Sequence, residues 1–217
     1  DDINAALSRK VWLKSGAYLV IDQTEALVSI DVNTGKNVGK ASLRKTIAET
    51  NCEAAVEIAR QLRLRDLSGI IIIDFIDMEE KEDKETVLAT LREALRGDRM
   101  RSVILGMTEL GFVELTRKKL RANLADTLQT TCPYCKGSGK VLNAETVALK
   151  IRSALIARVS EGAGAQQRFT VAASPTVAAL LREHSREELR QAFPGVTLEI
   201  VSDESMHLEH FSIRTQA

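Results

Sequence analysis

The sequence predicts an α/β fold with a mixed sheet and flanking helices, followed by a small α+β domain. Two runs, residues 28–35 and 70–77, are apolar and rich in β-branched residues. Each contains an aspartate near the end of its apolar part, Asp31 in the first run and Asp74 in the second. Such runs are typical of buried strands in open α/β folds. A helical stretch separates the two runs, and the order strand, helix, strand implies a crossover between parallel neighbours.

The composition is that of a folded protein and argues against two large classes. The 217 residues are 44% hydrophobic and 28% charged, which is enough to build a core and unlike a disordered chain. No run approaches the roughly 20 apolar residues of a membrane-spanning helix. The formal net charge is zero, so an argument for nucleic acid must come from local patches.

The cysteines and the start of the sequence bear on the cellular setting. Three cysteines, two of them in one Cys-x-x-Cys, do not suit a secreted disulfide framework, and we expect a reducing, cytoplasmic location. The sequence begins Asp1-Asp-Ile-Asn without methionine or a signal-peptide pattern, and we expect the cut end of a longer protein.

Up to residue 130, short apolar runs alternate with amphipathic stretches. A turn at Ser15-Gly16 and a polar segment before residue 26 separate the first three runs, which predicts an antiparallel meander. Apolar residues at helical spacing predict two long helices, and Gly97 ends the second. The predicted strands are 11–13, 17–21, 26–32, 70–76, 102–106 and 111–115, and the predicted helices are 43–66 and 81–96.

The second part of the chain begins at a compositional break, residues 131–140, with the sequence Thr-Cys-Pro-Tyr-Cys-Lys-Gly-Ser-Gly-Lys. Residues 141–217 then predict a small α+β domain. Its predicted helices are 143–160, 175–184 and 187–192, and its predicted strands are 168–173, 197–201 and a final one within 207–214. Residues 1–10 are interpreted as the remnant of a preceding subdomain.

Three polar residues near the strand ends form a candidate metal site. Asp31 and Asn33 share one face of the predicted strand, because side chains alternate along a strand. Asp74 follows four isoleucines, where a charge is costly unless it is paired, protonated or bound to a cation. Carboxylate and amide oxygens are ligands of Mg²⁺, so we hypothesise a magnesium site for phosphodiester chemistry.

A structural interpretation of the same residues stays open. In that case Asp31 caps a turn, and Asp74 pairs with a nearby arginine or lysine. We expect Asp77 to support the site rather than to bind the metal, because it lies an odd number of residues beyond Asp74.

Several basic residues are candidates for contact with phosphates. The loop 35–42 joins a strand to a helix but fails the phosphate-loop pattern, because its glycines are too close and Ala41 replaces the expected Ser or Thr. A weaker hypothesis remains, that Lys36, Lys40 and the helix N-terminus face a phosphate backbone. Other basic residues form either a solvated face or a phosphate-binding rim; they are Arg99, Arg101, Arg117, Lys118, Lys119 and Arg121.

Cys132 and Cys135, with the glycines that follow them, form half of a zinc ribbon. A structural zinc ion needs four ligands, and the chain has no second Cys-x-x-Cys. Further candidate ligands within the chain are distant in sequence and lack ligand spacing; they are Cys52, His184, His207 and His210. We therefore expect two chains to contribute one pair each. The competing interpretation is a redox dithiol, which in thioredoxin-like units follows a strand at a helix N-terminus. Cys52 lies within an amphipathic helix and is expected to be a small buried residue.

Several stretches of the sequence resemble the bacterial ribonuclease E/G family. They are Ser29-Ile-Asp-Val-Asn-Thr-Gly35, the helical segment 50–66, residues 69–78, the cysteine segment 132–139 and, more loosely, Ala172-Ala-Ser-Pro-Thr-Val177. The resemblance covers nearly the whole chain and is strongest between residues 11 and 139.

This resemblance implies a magnesium-dependent endoribonuclease that cuts single-stranded RNA, with a deoxyribonuclease-I-like catalytic subdomain at residues 11–130. It implies that Asp31 and Asp74 are catalytic, that Asn33 supports them, and that Arg101 lies close to the cleaved RNA. It also implies that Cys132 and Cys135 form a zinc link shared by two protomers, with residues 141–217 as a dimerisation domain.

Family members carry further parts ahead of the region that this sequence matches. These are an oligonucleotide-binding barrel, a 5′-end sensing region and most of a ribonuclease-H-like subdomain. The barrel is the part expected to clamp RNA, so two alternatives to an active nuclease stay open. One is a catalytically silent, zinc-linked dimerisation module, and the other is an RNA-binding platform.

Overall fold

The computed structural model describes residues 2–35, 43–161, 167–185 and 195–216. The chain divides into two compact units, Asp1–Thr130 and Thr131–Ala217. Each unit has its own sheet and its own hydrophobic core.

The first unit combines six strands with two long and two short helices. Its strands are β1 (Lys10–Trp12), β2 (Tyr18–Gln23), β3 (Leu27–Asn33), β4 (Gly69–Asp74), β5 (Ser102–Met107) and β6 (Phe112–Arg117). Its helices are α1 (Asp2–Leu7), α2 (Leu43–Leu64), α3 (Lys81–Leu95) and α4 (Leu124–Leu128). The strand order is β1-β2-β3-β4-β6-β5, in which β3 and β4 are parallel and all other neighbours are antiparallel. The predicted mixed sheet and its parallel crossover are therefore confirmed.

Alternation along the strands decides which face of the sheet is buried. Ile30 of β3 and Ile73 of β4 pack in one core with Ile58 of α2 and Leu91 of α3. The alternate strand residues point the other way and stay half-buried or exposed. We call that side the open face; on β1 to β4 it carries Lys10, Trp12, Tyr18, Val20, Asp22, Leu27, Ser29, Asp31, Asn33, Ile70, Ile72 and Asp74.

Strand β4 ends at Asp74, two residues earlier than the apolar pattern predicts. The buried side chain of Asn51, from α2, hydrogen-bonds to both the N–H and the carbonyl of Ile76. These are the groups through which Ile76 would otherwise pair with a neighbouring strand. The Nδ2 of Asn51 donates to the carbonyl of Ile76 at 2.8 Å, and its Oδ1 accepts from the Ile76 N–H at 3.1 Å. This exchange ends the ladder directly after Asp74.

The sequence does not predict α1 or α4. Helix α4 has only five residues, and it is capped by Asn123, whose side chain accepts from the backbone N–H of Asp126 at 2.8 Å. Such a short helix offers too few apolar positions for a periodic pattern, so the side-chain cap is its main signal.

The second unit has a three-stranded sheet and one long helix. Its elements are α5 (Ala144–Glu161), β7 (Gln167–Ala173), α6 (Pro175–Leu180), a π-helical turn (Leu181–Ser185), β8 (Val196–Ser202) and β9 (Phe211–Gln216). The strand order is β8-β7-β9, with β7 parallel to β8 and antiparallel to β9. Ile151, Phe169 and Val177 lie at the centre of its core. The predicted helix 187–192 lies outside the described residues.

No helix within the described ranges is long and apolar enough to span a bilayer.

Candidate active site

The parallel pairing of β3 and β4 places two carboxylates side by side. Asp31 is in register with Asp74, and both are exposed on the open face of the sheet. Neighbouring strands lie about 4.8 Å apart, so two side chains that are in register on one face lie next to each other. The structure therefore confirms the expectation that the crossover places these two residues next to each other.

Asn33 completes the polar group on this face. Its Nδ2 donates to Asp31 Oδ2 at 2.7 Å, which fixes the orientation of both side chains. Because the nitrogen end of the amide is engaged by Asp31, the oxygen end is the one that can face a cation.

The electrostatics of the pair favour a cation between the two carboxylates. Partial desolvation, followed by the like charges of Asp31 and Asp77, raises the pKa of Asp74 above its ordinary value. Among the described residues, neither Asp31 nor Asp74 forms an ion pair with a basic side chain. A divalent cation would relieve the like-charge repulsion, which raises the pKa of Asp74 in addition to desolvation.

The protein alone supplies few ligands at this place. In the part of the chain that the structure describes, no group of three or more His, Cys, Asp and Glu side chains could hold a metal ion. Two carboxylates and an amide oxygen are a donor set that suits Mg²⁺, which keeps several waters and takes substrate phosphates as further ligands. The residues present therefore fit a magnesium ion that is bound together with a phosphodiester.

Two contacts support the site, and one of them involves a residue that the sequence analysis missed. Asn51 fixes the chain just beyond Asp74 through its two hydrogen bonds to Ile76. A sequence signal was available, because Asn51 has the helical spacing of the apolar residues Ile47, Ala54 and Ala55 and so interrupts the apolar side of α2. On the other strand, Gly35 closes the end of β3 against the turn at Gly16.

Arg117 does not belong to an RNA-binding rim, contrary to the sequence prediction. It is only 3% exposed, and its guanidinium is surrounded by Asp98, Asp66 and a carbonyl. Nε donates to Asp98 Oδ2 at 2.7 Å, and Nη1 donates to Asp66 Oδ1 at 3.1 Å and to the Leu67 carbonyl at 2.8 Å. Nη2 also donates, to Asp98 Oδ1 at 3.1 Å, so each of the three guanidinium nitrogens is hydrogen-bonded inside the fold and Arg117 is a structural residue.

Two other basic candidates, Arg101 and Lys118, are exposed but lie away from the carboxylates. They sit together, because the Lys118 N–H donates to the Arg101 carbonyl at 3.0 Å. The register pairs Asp74 with the first residue of β6, whereas Arg101 and Lys118 lie just beyond the opposite end of that strand, about 20 Å further along. Lys36 and Lys40 lie outside the described residues.

The cysteine segment precedes α5 in the second unit. Backbone N–H groups of Gly139 and Gly137 hydrogen-bond to the Cys135 sulfur and lower the pKa of its thiol, and the Cys132 thiol adds to this effect. A stabilised thiolate is the form that binds zinc. The pair lies in a glycine-rich turn and not between a strand and a helix, where thioredoxin-like redox pairs are found.

His207 anchors the cysteine segment to the β8–β9 connection, whereas from the sequence it was only a distant candidate zinc ligand. Its Nε2 lies 2.7 Å from the carbonyl oxygen of Tyr134, the residue before Cys135, and the two rings stack with centroids 3.9 Å apart. The hydroxyl of Tyr134 in turn accepts from the Leu208 N–H at 3.3 Å. The segment is thereby held in one place within the second unit.

Comparison with known proteins gives a consistent result along the whole chain. The profile of the Ribonuclease E/G family matches residues 1–120, and that of the RNase E/G thioredoxin-like domain matches residues 131–216. Ribonuclease G of Escherichia coli (strain K12) is 44% identical over 216 residues, which are 98% of this chain and 44% of that protein.

Ribonuclease E proteins are similar as well. That of a Nostoc species is 51% identical over 137 residues, 63% of this chain and 20% of that protein. That of Escherichia coli (strain K12) is 38% identical over 215 residues, 97% of this chain and 20% of that protein. The chain spans less than half the length of these curated relatives. The family match and the shared identity together establish that the chain belongs to the ribonuclease E/G family.

Proposed function

We propose that this chain is the catalytic half of a magnesium-dependent endoribonuclease that cleaves single-stranded RNA. The observation that carries the proposal is the register pairing of Asp31 with Asp74 on an exposed sheet face, with Asn33 hydrogen-bonded to Asp31. Membership of a family whose relatives are named ribonucleases supports RNA as the substrate.

The proposed chemistry assigns a separate task to each residue. A magnesium ion held by Asp31, Asp74 and the Asn33 oxygen would stabilise charge on the phosphate and lower the pKa of a water molecule. Asn33 orients the Asp31 carboxylate through the hydrogen bond at 2.7 Å. Attack of water on phosphorus breaks the bond to O3′ and leaves a 3′-hydroxyl and a 5′-phosphate. Both carboxylates are exposed on the open face, where an RNA strand can reach them.

Replacement of the carboxylates tests the proposal. Asp31→Asn and Asp74→Asn are isosteric and should each reduce cleavage of a 5′-monophosphorylated single-stranded RNA by more than about 100-fold, while Asn33→Ala costs about 10- to 100-fold. The control is Asp22→Asn, which removes a carboxylate from β2 opposite Ser29 and should leave the rate unchanged. Full activity in both aspartate variants, or no magnesium-dependent cleavage by the unaltered chain, would contradict the proposal.

We further propose that Cys132 and Cys135 of two chains bind one zinc ion and form a homodimer. Support comes from the lowered pKa of the Cys135 thiol and from the presence of only two thiols in this segment. Native mass spectrometry should give about one zinc per two chains, and removal of zinc by a chelator should yield monomers. Cys132→Ser should do the same, whereas Cys52→Ser, which alters a half-buried thiol of α2, should leave the dimer intact. One zinc per chain would contradict sharing.

A further inference from the structure

An aromatic cluster lies on the open face at the edge of the first sheet. It consists of Lys10, Trp12 and Tyr18, which come together because β1 and β2 pair with Trp12 opposite Tyr18. The two rings meet edge to face with centroids 5.2 Å apart, and Lys10 Nζ lies 4.0 Å and 3.5 Å from the centroids of Trp12 and Tyr18. Trp12 is nevertheless 63% exposed.

The cluster is in line with the carboxylate site. The register continues from Trp12 to Tyr18 and from Tyr18 to Asn33, so the three side chains form one row across the open face. The adjacent row runs from Lys10 through Val20 to Asp31 and Asp74. Because neighbouring strands lie about 4.8 Å apart, Trp12 is about 10 Å from Asn33 across the sheet.

We propose that the aromatic cluster binds a base of single-stranded RNA by stacking, next to the phosphate that lies over Asp31 and Asp74. The inference rests on the proposed function, because it takes the carboxylate pair as the place of the cleaved phosphate. Exposed aromatic rings on a sheet are a recurrent platform for unpaired bases. The ring supplies a flat apolar surface, and the ammonium of Lys10 supplies the charge that attracts the neighbouring phosphate.

The charges on this face also favour RNA over a protein partner. The carboxylates repel the phosphate backbone, so a strand that crosses them needs an attractive contact nearby. Lys10 provides this contact and remains exposed beside the rings. Lys10 lies over one face of the indole, yet Trp12 is still 63% exposed. A base therefore stacks on the other face of the indole, while the phosphate of the same nucleotide pairs with the ammonium.

The chain offers a direct spectroscopic test, since Trp12 is its single tryptophan. Titration of the 217-residue protein with a single-stranded RNA of ten nucleotides should quench the tryptophan fluorescence. Magnesium is left out to prevent cleavage, and no chelator is added, so that zinc stays bound. The same RNA with abasic sugars at its central positions, or annealed to its complement, should quench much less, because only an unpaired base can stack.

Binding variants give the second measurement. Trp12→Ala should weaken binding of the labelled RNA by about 5- to 150-fold, and Trp12→Phe should retain most of the affinity because it keeps an aromatic face. The matched control is Leu105→Ala, which removes a 66% exposed apolar side chain from β5 at the other edge of the sheet. Circular dichroism verifies that each variant is folded.

The outcomes separate this inference from the proposed function. Quenching by single-stranded RNA without magnesium-dependent cleavage supports the stacking platform and contradicts the nuclease proposal. Cleavage with no quenching, and with equal affinity in Trp12→Ala, overturns the platform and leaves the nuclease proposal intact. If the fluorescence falls as the protein concentration rises, and RNA has no further effect, then a second copy of the chain covers the cluster. This result also overturns the proposal.

Discussion

Arg117 shows how much of the first unit depends on one buried residue. Its guanidinium bridges Asp66 and Asp98, whose side chains are 8% and 3% exposed, and so joins the end of α2 to the connection before β5. Arg117→Met keeps much of the apolar stem but leaves two buried carboxylates without this partner. We expect the free energy of unfolding to fall by about 3–5 kcal/mol, measured by urea denaturation.

Arg121 provides the control for that substitution. It also donates to Asp66, but its own side chain is 75% exposed. Solvent screens such a contact, so Arg121→Ala should change the free energy of unfolding by no more than about 1 kcal/mol. Equal losses in the two variants would show that burial does not set the value of the Arg117 contacts.

The same network makes stability dependent on pH. Desolvation acts to raise the pKa of Asp66 and of Asp98, but the hydrogen bonds from Arg121 and Arg117 to Asp66, and from Arg117 and the Met100 N–H to Asp98, outweigh it and lower both values. Carboxylates with a lowered pKa in the folded state stabilise it above their unfolded value of about 3.9. This stability is lost as the pH falls from about 4 through the folded pKa.

Urea denaturation between pH 7 and pH 2.5 measures this effect. The unaltered chain should lose stability steeply below about pH 4. Arg117→Met should lose less, because its Asp98 is no longer held in the charged form, so the difference between the two proteins should shrink in acid. A difference that is constant with pH would contradict the assignment.

At the scale of elements, the end of β3 depends on the absence of a side chain at residue 35. Gly35 has φ +66°, and a Cβ there would lie 2.3 Å from the Gly16 carbonyl oxygen in the β1–β2 turn. Gly35→Ala should therefore destabilise the first unit by more than the roughly 1–2 kcal/mol of a left-handed conformation, as measured by urea denaturation. Gly97→Ala is the control, since nothing lies within 4 Å of its added Cβ, and it should change stability by less than about 0.5 kcal/mol. A similar effect in both variants would mean that the contact with Gly16 is easily relieved.

The elements also show what the sequence can and cannot predict. Strands β3 and β4 are predictable because continuous β-branched runs are typical of buried strands. The helix between them implies a parallel crossover, which places Asp31 beside Asp74. The end of β4 is not predictable from the run, because Asn51 ends it through contacts 25 residues away in sequence. The prediction for Arg117 was wrong for a related reason, because its partners Asp66 and Asp98 are also distant in sequence. The sequence alone does not distinguish a basic residue at a strand end that is surrounded by carboxylates from one that is surrounded by water.

At the scale of the whole molecule, the two units have separate cores. The first core draws on α2, α3 and the six-stranded sheet, and the second on α5, α6 and β7 to β9. A cavity made in one core removes contacts only within that unit. Phe169 is the largest fully buried side chain of the second unit, at 1% exposure on the central strand β7.

Phe169→Ala should therefore act locally. The loss of a buried phenyl ring costs about 3–5 kcal/mol in the stability of the unit that contains it. Hydrogen exchange followed by mass spectrometry should show faster exchange in peptides from β7, β8 and β9, with unchanged exchange in β3 and β4, because amide exchange reports the opening of each cooperative unit. Leu115→Ala, in the first core, should give the reverse pattern. Faster exchange throughout the chain in either variant would contradict two separate cores, because it would mean that both units open as one cooperative structure.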